Sequence, residues 1–134
     1  MDLPRVLVLD DQVEICTILS KLLRDQQYDV HTVQSVARAS KAVAERSFDA
    51  YLLDYRLQDG TGLQIAEKVR QNGSSAPIIL ISGYGAVEIG AKAKALDIFD
   101  VLEKPFNCER ICRTISQALD TSLLPVPKKV DLAC

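Results

Sequence analysis

The chain has 134 residues, 48% of them apolar and 25% charged, and a formal net charge of -2. That length fits one domain able to bury a core without disulfides or structural metal, and the near-neutral charge gives no sign of a surface that binds nucleic acid by bulk attraction. No stretch approaches the ~20 apolar residues of a membrane helix, and the acid-bearing start MDLPRVLVLDD is unlike a signal peptide, so a cytoplasmic protein is expected.

Along the chain, apolar runs alternate with helical patterns. Residues 5–9 (RVLVL) are short, β-branched-rich and unbroken, as expected of a strand covered on both faces. Over residues 12–26, Ile15, Leu19, Leu22 and Leu23 fall on one helical face. Residues 28–33 form a second, more polar strand suited to a sheet edge. The next helix, 35–46, turns Val36, Ala39 and Val43 inward, and residues 50–53 make a third strand that ends in Asp54. Gln58-Asp59-Gly60-Thr61-Gly62 is loop chemistry. A helix over 62–71 follows, carrying Leu63, Ala66 and Val69, and Asn72-Gly73 closes it. Residues 77–81 are the most apolar strand and belong at the centre. The helix at 86–96 is Ala-rich with Gly90 inside, so its apolar face is weak. Residues 99–102 form the fifth strand, and Asn107 caps a last helix with Ile111, Ile115, Ala118 and Leu119 inward. The Pro125- and Pro127-bearing segment reads as a tail or the start of a linker, so the domain is placed at 1–120 and the tail at 121–134. The four cysteines at 16, 108, 112 and 134 lack zinc-binding spacing and read as thiols kept reduced.

Five β-α units in succession predict a single doubly wound α/β domain with a five-stranded parallel sheet. Right-handed crossovers and a polar second strand favour the order 2-1-3-4-5. In such sheets ligands bind beyond the carboxyl ends of the strands, where the order reverses. Here that point lies between strand one, ending in Asp10-Asp11, and strand three, ending in Asp54. With neighbouring strands about 4.8 Å apart, three carboxylates crowd one crevice. They must either bind protons or face a cation, and a hard divalent ion such as Mg²⁺ fits. Strand four ends in the hydroxyl of Ser82. Strand five ends in Lys104, whose long stem can span the roughly 10 Å to strand three. A cation aimed into this crevice suits a phosphoryl group, and a carboxylate can carry one as an aspartyl phosphate. Asp54, alone at the end of the central strand, is the best acceptor. Of the adjacent Asp10 and Asp11, one ligates the metal directly and the other acts through water. Arg56 and Tyr84 flank the site, while His31 on the edge strand reads as structural.

The blocks VLVLDD, YLLDY, ILISG and VLEKPF resemble those of two-component response-regulator receiver domains, over about residues 4–120. The resemblance implies a flavodoxin-like receiver fold with Asp54 as phosphoacceptor. It implies Asp11 as a direct Mg²⁺ ligand, Asp10 through water, and the backbone carbonyl of Arg56 as a further ligand. Ser82 and Lys104 would bind the phosphoryl oxygens, and Lys104-Pro105 would be cis. The donor would be a phosphohistidine on a sensor histidine kinase or phosphotransfer protein. An output domain or partner protein and a homodimer are further implied partners, with no nucleic acid or membrane bound by the domain itself. The chain departs from the family in Val101, where an aromatic residue normally rotates with the switch, and in Gln58, where a proline is usual. Gly62 is kept. Val101 directs the expected output toward the helix at 86–96, and it also sustains a competing reading as a phosphorylation-independent adaptor. An aspartyl phosphatase would need D-x-D after strand one, where this chain has Asp10-Asp11-Gln12. A flavin carrier would need a Ser/Thr-rich phosphate loop there. The expectation is therefore a signalling switch and not an enzyme, its chemistry limited to its own phosphorylation and slow dephosphorylation.

Overall fold

The computed structural model describes residues 3–83 and 86–119. Tyr84 and the 121–134 tail lie outside the described residues. Five strands form the main sheet: β1 (Arg5–Leu9), β2 (Asp29–Val33), β3 (Ala50–Asp54), β6 (Ile78–Ser82) and β7 (Asp100–Glu103). A two-stranded hairpin of β4 (Arg56–Leu57) and β5 (Gly60–Thr61) follows β3, in the segment expected to be plain loop. All main-sheet pairings are parallel and the order is β2-β1-β3-β6-β7. Setting the hairpin aside, that is the expected 2-1-3-4-5.

The helices are α1 (Val13–Asp25), α2 (Val36–Glu45), α3 (Gly62–Gln71), α4 (Ala86–Ala95) and α5 (Cys108–Leu119). The alternation of side chains along each strand divides the core in two. Val6, Val8, Leu52, Ile79 and Ile81 pack with α1 and α5. Leu7, Leu9, Leu53, Ile78 and Leu80 pack with α2, α3 and α4. Strands buried on both faces need no polar alternation, which is why β3 and β6 read as unbroken apolar runs. The last strand begins one residue later than its hydrophobic run suggests, leaving Phe99 43% exposed.

Local chemistry sets the element ends. Asn107 Oδ1 accepts from Arg110 N at 3.1 Å, capping α5 as expected. Gly73, at φ +87°, closes α3 in a conformation that disfavours a Cβ. Arg70 makes a clasp with no local sequence signature. Its guanidinium donates to the carbonyls of Ala76 (2.7 Å), Leu96 (2.8 Å), Ser74 (3.1 Å) and Asp97 (3.1 Å). It thus ties the end of α3 to the approach to β6 and to the carboxyl end of α4. Among the described residues no helix is long and apolar enough to cross a membrane.

Candidate functional site

Strand register builds the site. Leu9 lies opposite Leu53, and Leu53 opposite Leu80, so Asp10 and Asp54, each one residue further along, emerge level on adjacent strands. Ser82 pairs with Glu103, which places Lys104 at the same rim, and Lys104 N donates to Ser82 O at 2.8 Å. Asp10, Asp54 and Ser82 are buried, whereas Asp11 is half-exposed. Oxygens of Asp10, Asp11 and Asp54 lie within 4.8 Å of one another. The Lys104 ammonium reaches across β6 to donate to Asp54 Oδ2 at 3.0 Å and Asp10 Oδ2 at 3.2 Å. The second Asp10 oxygen accepts from Gln12 N at 2.9 Å, so both of its oxygens have protein partners.

The electrostatics follow from three carboxylates facing one ammonium. Burial pushes the Asp54 carboxyl above its ordinary value. The Lys104 hydrogen bond and charge pull it down, and the charges of Asp10 and Asp11 push it up again. Burial acts against the charge on Lys104, but the hydrogen bonds and charges of Asp54 and Asp10 outweigh it, leaving the ammonium above its ordinary value. Both groups shift toward holding protons, as expected of a crevice with excess negative charge. A cluster of hard oxygen donors with that excess fits a divalent cation such as Mg²⁺.

The hairpin after Asp54 is tightly fixed. Tyr55 N donates to Ile81 O at 2.8 Å, and Gly62 N donates back to Tyr55 O at 2.9 Å. A Cβ on Gly62 would stand 2.3 Å from the backbone oxygen of Asp54, so only glycine fits there without displacement. Gly60, at φ +152°, makes the turn, and the Gln64 side chain accepts from Thr61 N at 2.8 Å. Asp59, in sequence only part of a loop, is a positioning group. Its carboxylate accepts from Val36 N (2.9 Å) and Ala37 N (3.1 Å), bolting the hairpin to the start of α2. An Asp-Gly turn hints at such a cap, but its partners lie more than twenty residues earlier and only the fold supplies them.

Other predicted positions lie outside the acidic cluster. Arg56 opens the hairpin with its side chain exposed. Val101 is half-buried against the α2–α3–α4 side of the core. His31 stays on the edge strand away from the acids, its ring 5.9 Å from that of Phe48.

Comparison with known proteins agrees with this geometry. The sequence profile of the response regulator receiver domain matches residues 6–116. The transcriptional regulatory protein ZraR of Escherichia coli O157:H7 is 32% identical over 114 residues, which cover 85% of this chain and 26% of ZraR. The chain spans about a quarter of the length of the curated relatives it matches. Among solved structures, chemotaxis protein CheY4 of Vibrio cholerae superposes with a TM-score of 0.81 at 27% identity, covering 87% of this chain and 99% of CheY4. Response regulator protein TrrA of Thermotoga maritima, in complex with Mg(2+)-BeF, gives 0.78 at 25% identity, covering 87% of this chain and all of TrrA (100%).

Proposed function

The chain belongs to the response regulator receiver domain family, and from that premise we propose that it is a phosphoryl-accepting switch written on Asp54. A phosphohistidine on a sensor histidine kinase or phosphotransfer protein is the donor. An Asp54 carboxylate oxygen attacks phosphorus, an O–P bond forms as the P–N bond breaks, and the electron pair returns to the imidazole. Asp11, Asp54 and the backbone carbonyl of Arg56 would hold Mg²⁺, with Asp10 acting through water. When bound, the ion supplies positive charge against the carboxylates and the phosphoryl oxygens. The two hydrogen bonds already accepted by Asp10 support its indirect role. The Mg(2+)-BeF complex of TrrA supports the metal. Lys104 turns from Asp54 to the arriving phosphoryl oxygens, and Ser82 donates its hydroxyl to them. The receiver unit is placed at residues 1–120, with 121–134 a tail or linker.

The observation that carries this reading is the cluster itself, three carboxylates drawn together with Lys104 Nζ 3.0 Å from Asp54. The test is intact mass after incubation with acetyl phosphate and Mg²⁺, repeated with phosphohistidine donors. A gain of one phosphoryl group that requires both Mg²⁺ and Asp54 is expected. Uptake of similar extent by Asp54→Asn would place the acceptor elsewhere. Val101 favours one second reading, a phosphorylation-independent adaptor. In that case partner binding would be the same for Asp54→Ala and wild type, whatever the phosphoryl donor.

A further inference from the structure

The sheet has one edge at β2, far along the strand order from β7. Asp29 N donates to Pro4 O, and Val33 O accepts from Asp10 N. The peptide groups of residues 29, 31 and 33 therefore face β1, and those of Val30 and Thr32 face outward. A cleft lies on either side of this edge, one against α1 and one against α2. Thr32 and Gln34 line both, so the two clefts meet across the strand.

Their walls are basic. Lys21 and Arg24 project from α1, and Arg38, Lys41 and Arg46 from α2 and its end; the acids lining the same clefts are Asp25 and Glu45. All five cations are exposed, and none forms an ion pair among the described residues. Arg24 instead donates to Val30 O at 3.5 Å, holding a guanidinium against the strand edge. This concentration stands out in a chain of net charge -2.

We propose that the β2 edge, with the two basic clefts beside it, is a docking surface for an acidic, extended segment of a partner protein, which adds to the sheet as a further strand. Main-chain hydrogen bonds to Val30 and Thr32 would set its register, the added strand taking the Val30 carbonyl over from Arg24, whose guanidinium would turn to a carboxylate of the segment. Side chains of an added strand point alternately to its two faces, so carboxylates on both faces would meet Lys21 and Arg24 on one side and Arg38, Lys41 and Arg46 on the other. A nucleic acid fits less well. The clefts offer His31 as their aromatic ring, and the chain as a whole is negative.

The test uses an eight-residue Glu-Glu-Thr-Thr repeat, which carries carboxylates on both faces, and reads amide shifts and hydrogen exchange at low salt. Expected are shifts along β2, slowed exchange at Val30 and Thr32, and binding that weakens as salt rises. The Arg38→Glu/Lys41→Glu variant should bind about tenfold or more weakly. Should that variant unfold, Arg38→Gln/Lys41→Gln serves in its place. A repeat with Pro for each Thr should lose the exchange protection, because proline cannot complete a strand ladder. Equal binding of the Pro repeat or of a Lys-for-Glu repeat would overturn the proposal. So would tighter binding of a single-stranded oligonucleotide, or the absence of any β2 response.

Discussion

Helices α3 and α4 have the same length, ten residues each, and flank Asp54 on the same face of the sheet. They are held very differently. α3 buries Gly62, Leu63, Ile65, Ala66 and Val69, and its first turn locks against the backbone of Asp54. Asp59 and Gln64 pin the hairpin beside it. Of the α4 side chains described, Ile89 is buried, Ala93 is half-buried, and the rest are exposed around Gly90. The neighbouring Val101 is a small aliphatic side chain, half-buried against the same side of the core. The difference teaches that one flank of Asp54 is built to stay still, while the described part of the other is free to yield. If Asp54 carries a phosphoryl group as proposed, the described side chains favour transmission toward α4 and β7, where fewer of them are buried.

The strongest way to break the contrast is Gly62→Ala, which drives a methyl into the Asp54 carbonyl. A loss of about 3 kcal/mol is expected in denaturant unfolding, in the upper range for overpacking, together with lost phosphoryl uptake. Lys104→Ala leaves Asp10 and Asp54 facing each other without a cation. Because the Lys104 side chain is 25% exposed, the cost should be about 2 kcal/mol, below that of a fully buried broken pair. The sign with pH follows from proton binding. The folded Asp54 carboxyl titrates above its unfolded value, and losing Lys104 raises it further. In that window the native state binds more protons than the unfolded chain, so stability falls as pH rises. The Lys104→Ala deficit should therefore be greatest at neutral pH and shrink toward about pH 4.

Gly90→Ala sharpens the comparison from the other side. Nothing lies within 4 Å of a Cβ built there, so the methyl should stabilise α4 by about 0.5–1 kcal/mol through helix propensity. Slower hydrogen exchange in α4 should report the stiffening, with exchange in α3 unchanged. Asp59→Ala has the smallest expected effect, a modest fall in melting temperature with loosened exchange at Val36 and Ala37. Hydrogen bonds from Val36 and Ala37 hold the Asp59 carboxyl below its ordinary value. Its stabilisation is present above the unfolded value of about 3.9 and is lost as pH falls through the lower folded value, so wild type and Asp59→Ala should converge in acid.

Much of this was legible in the sequence for a physical reason. Strands buried on both faces announce themselves as apolar runs, and parallel register brings their last residues level, so strand order alone gathers Asp10, Asp54, Ser82 and Lys104 at one rim. The apolar stripes of α1, α3 and α5 likewise gave their inward faces, and the thin stripe of α4 agrees with the exposure of most of its described side chains. The β4–β5 hairpin, the Asp59 bolt and the Arg70 clasp were not legible. The hairpin is a two-residue main-chain pairing too short to show a strand pattern, and the other two are side-chain contacts with main-chain groups brought near by the fold, which leave no periodic trace. The edge of β2 lies between these cases: its polarity marked it as an edge, but its flanking cations sit on two helices that the sequence separates.

The Arg70 clasp has a mechanical consequence. By holding the carbonyls of Leu96 and Asp97 it fixes the carboxyl end of α4, making the helix a rod hinged at that end. Ten residues span about 15 Å, so a tilt of about 10° would sweep the opposite end through roughly 2–3 Å. Travel would be greatest next to Ser82 and Gly83 and would vanish where the chain turns toward β7. A small displacement beside Asp54 would thus be geared along the length of the rod, with Arg70 as its fulcrum.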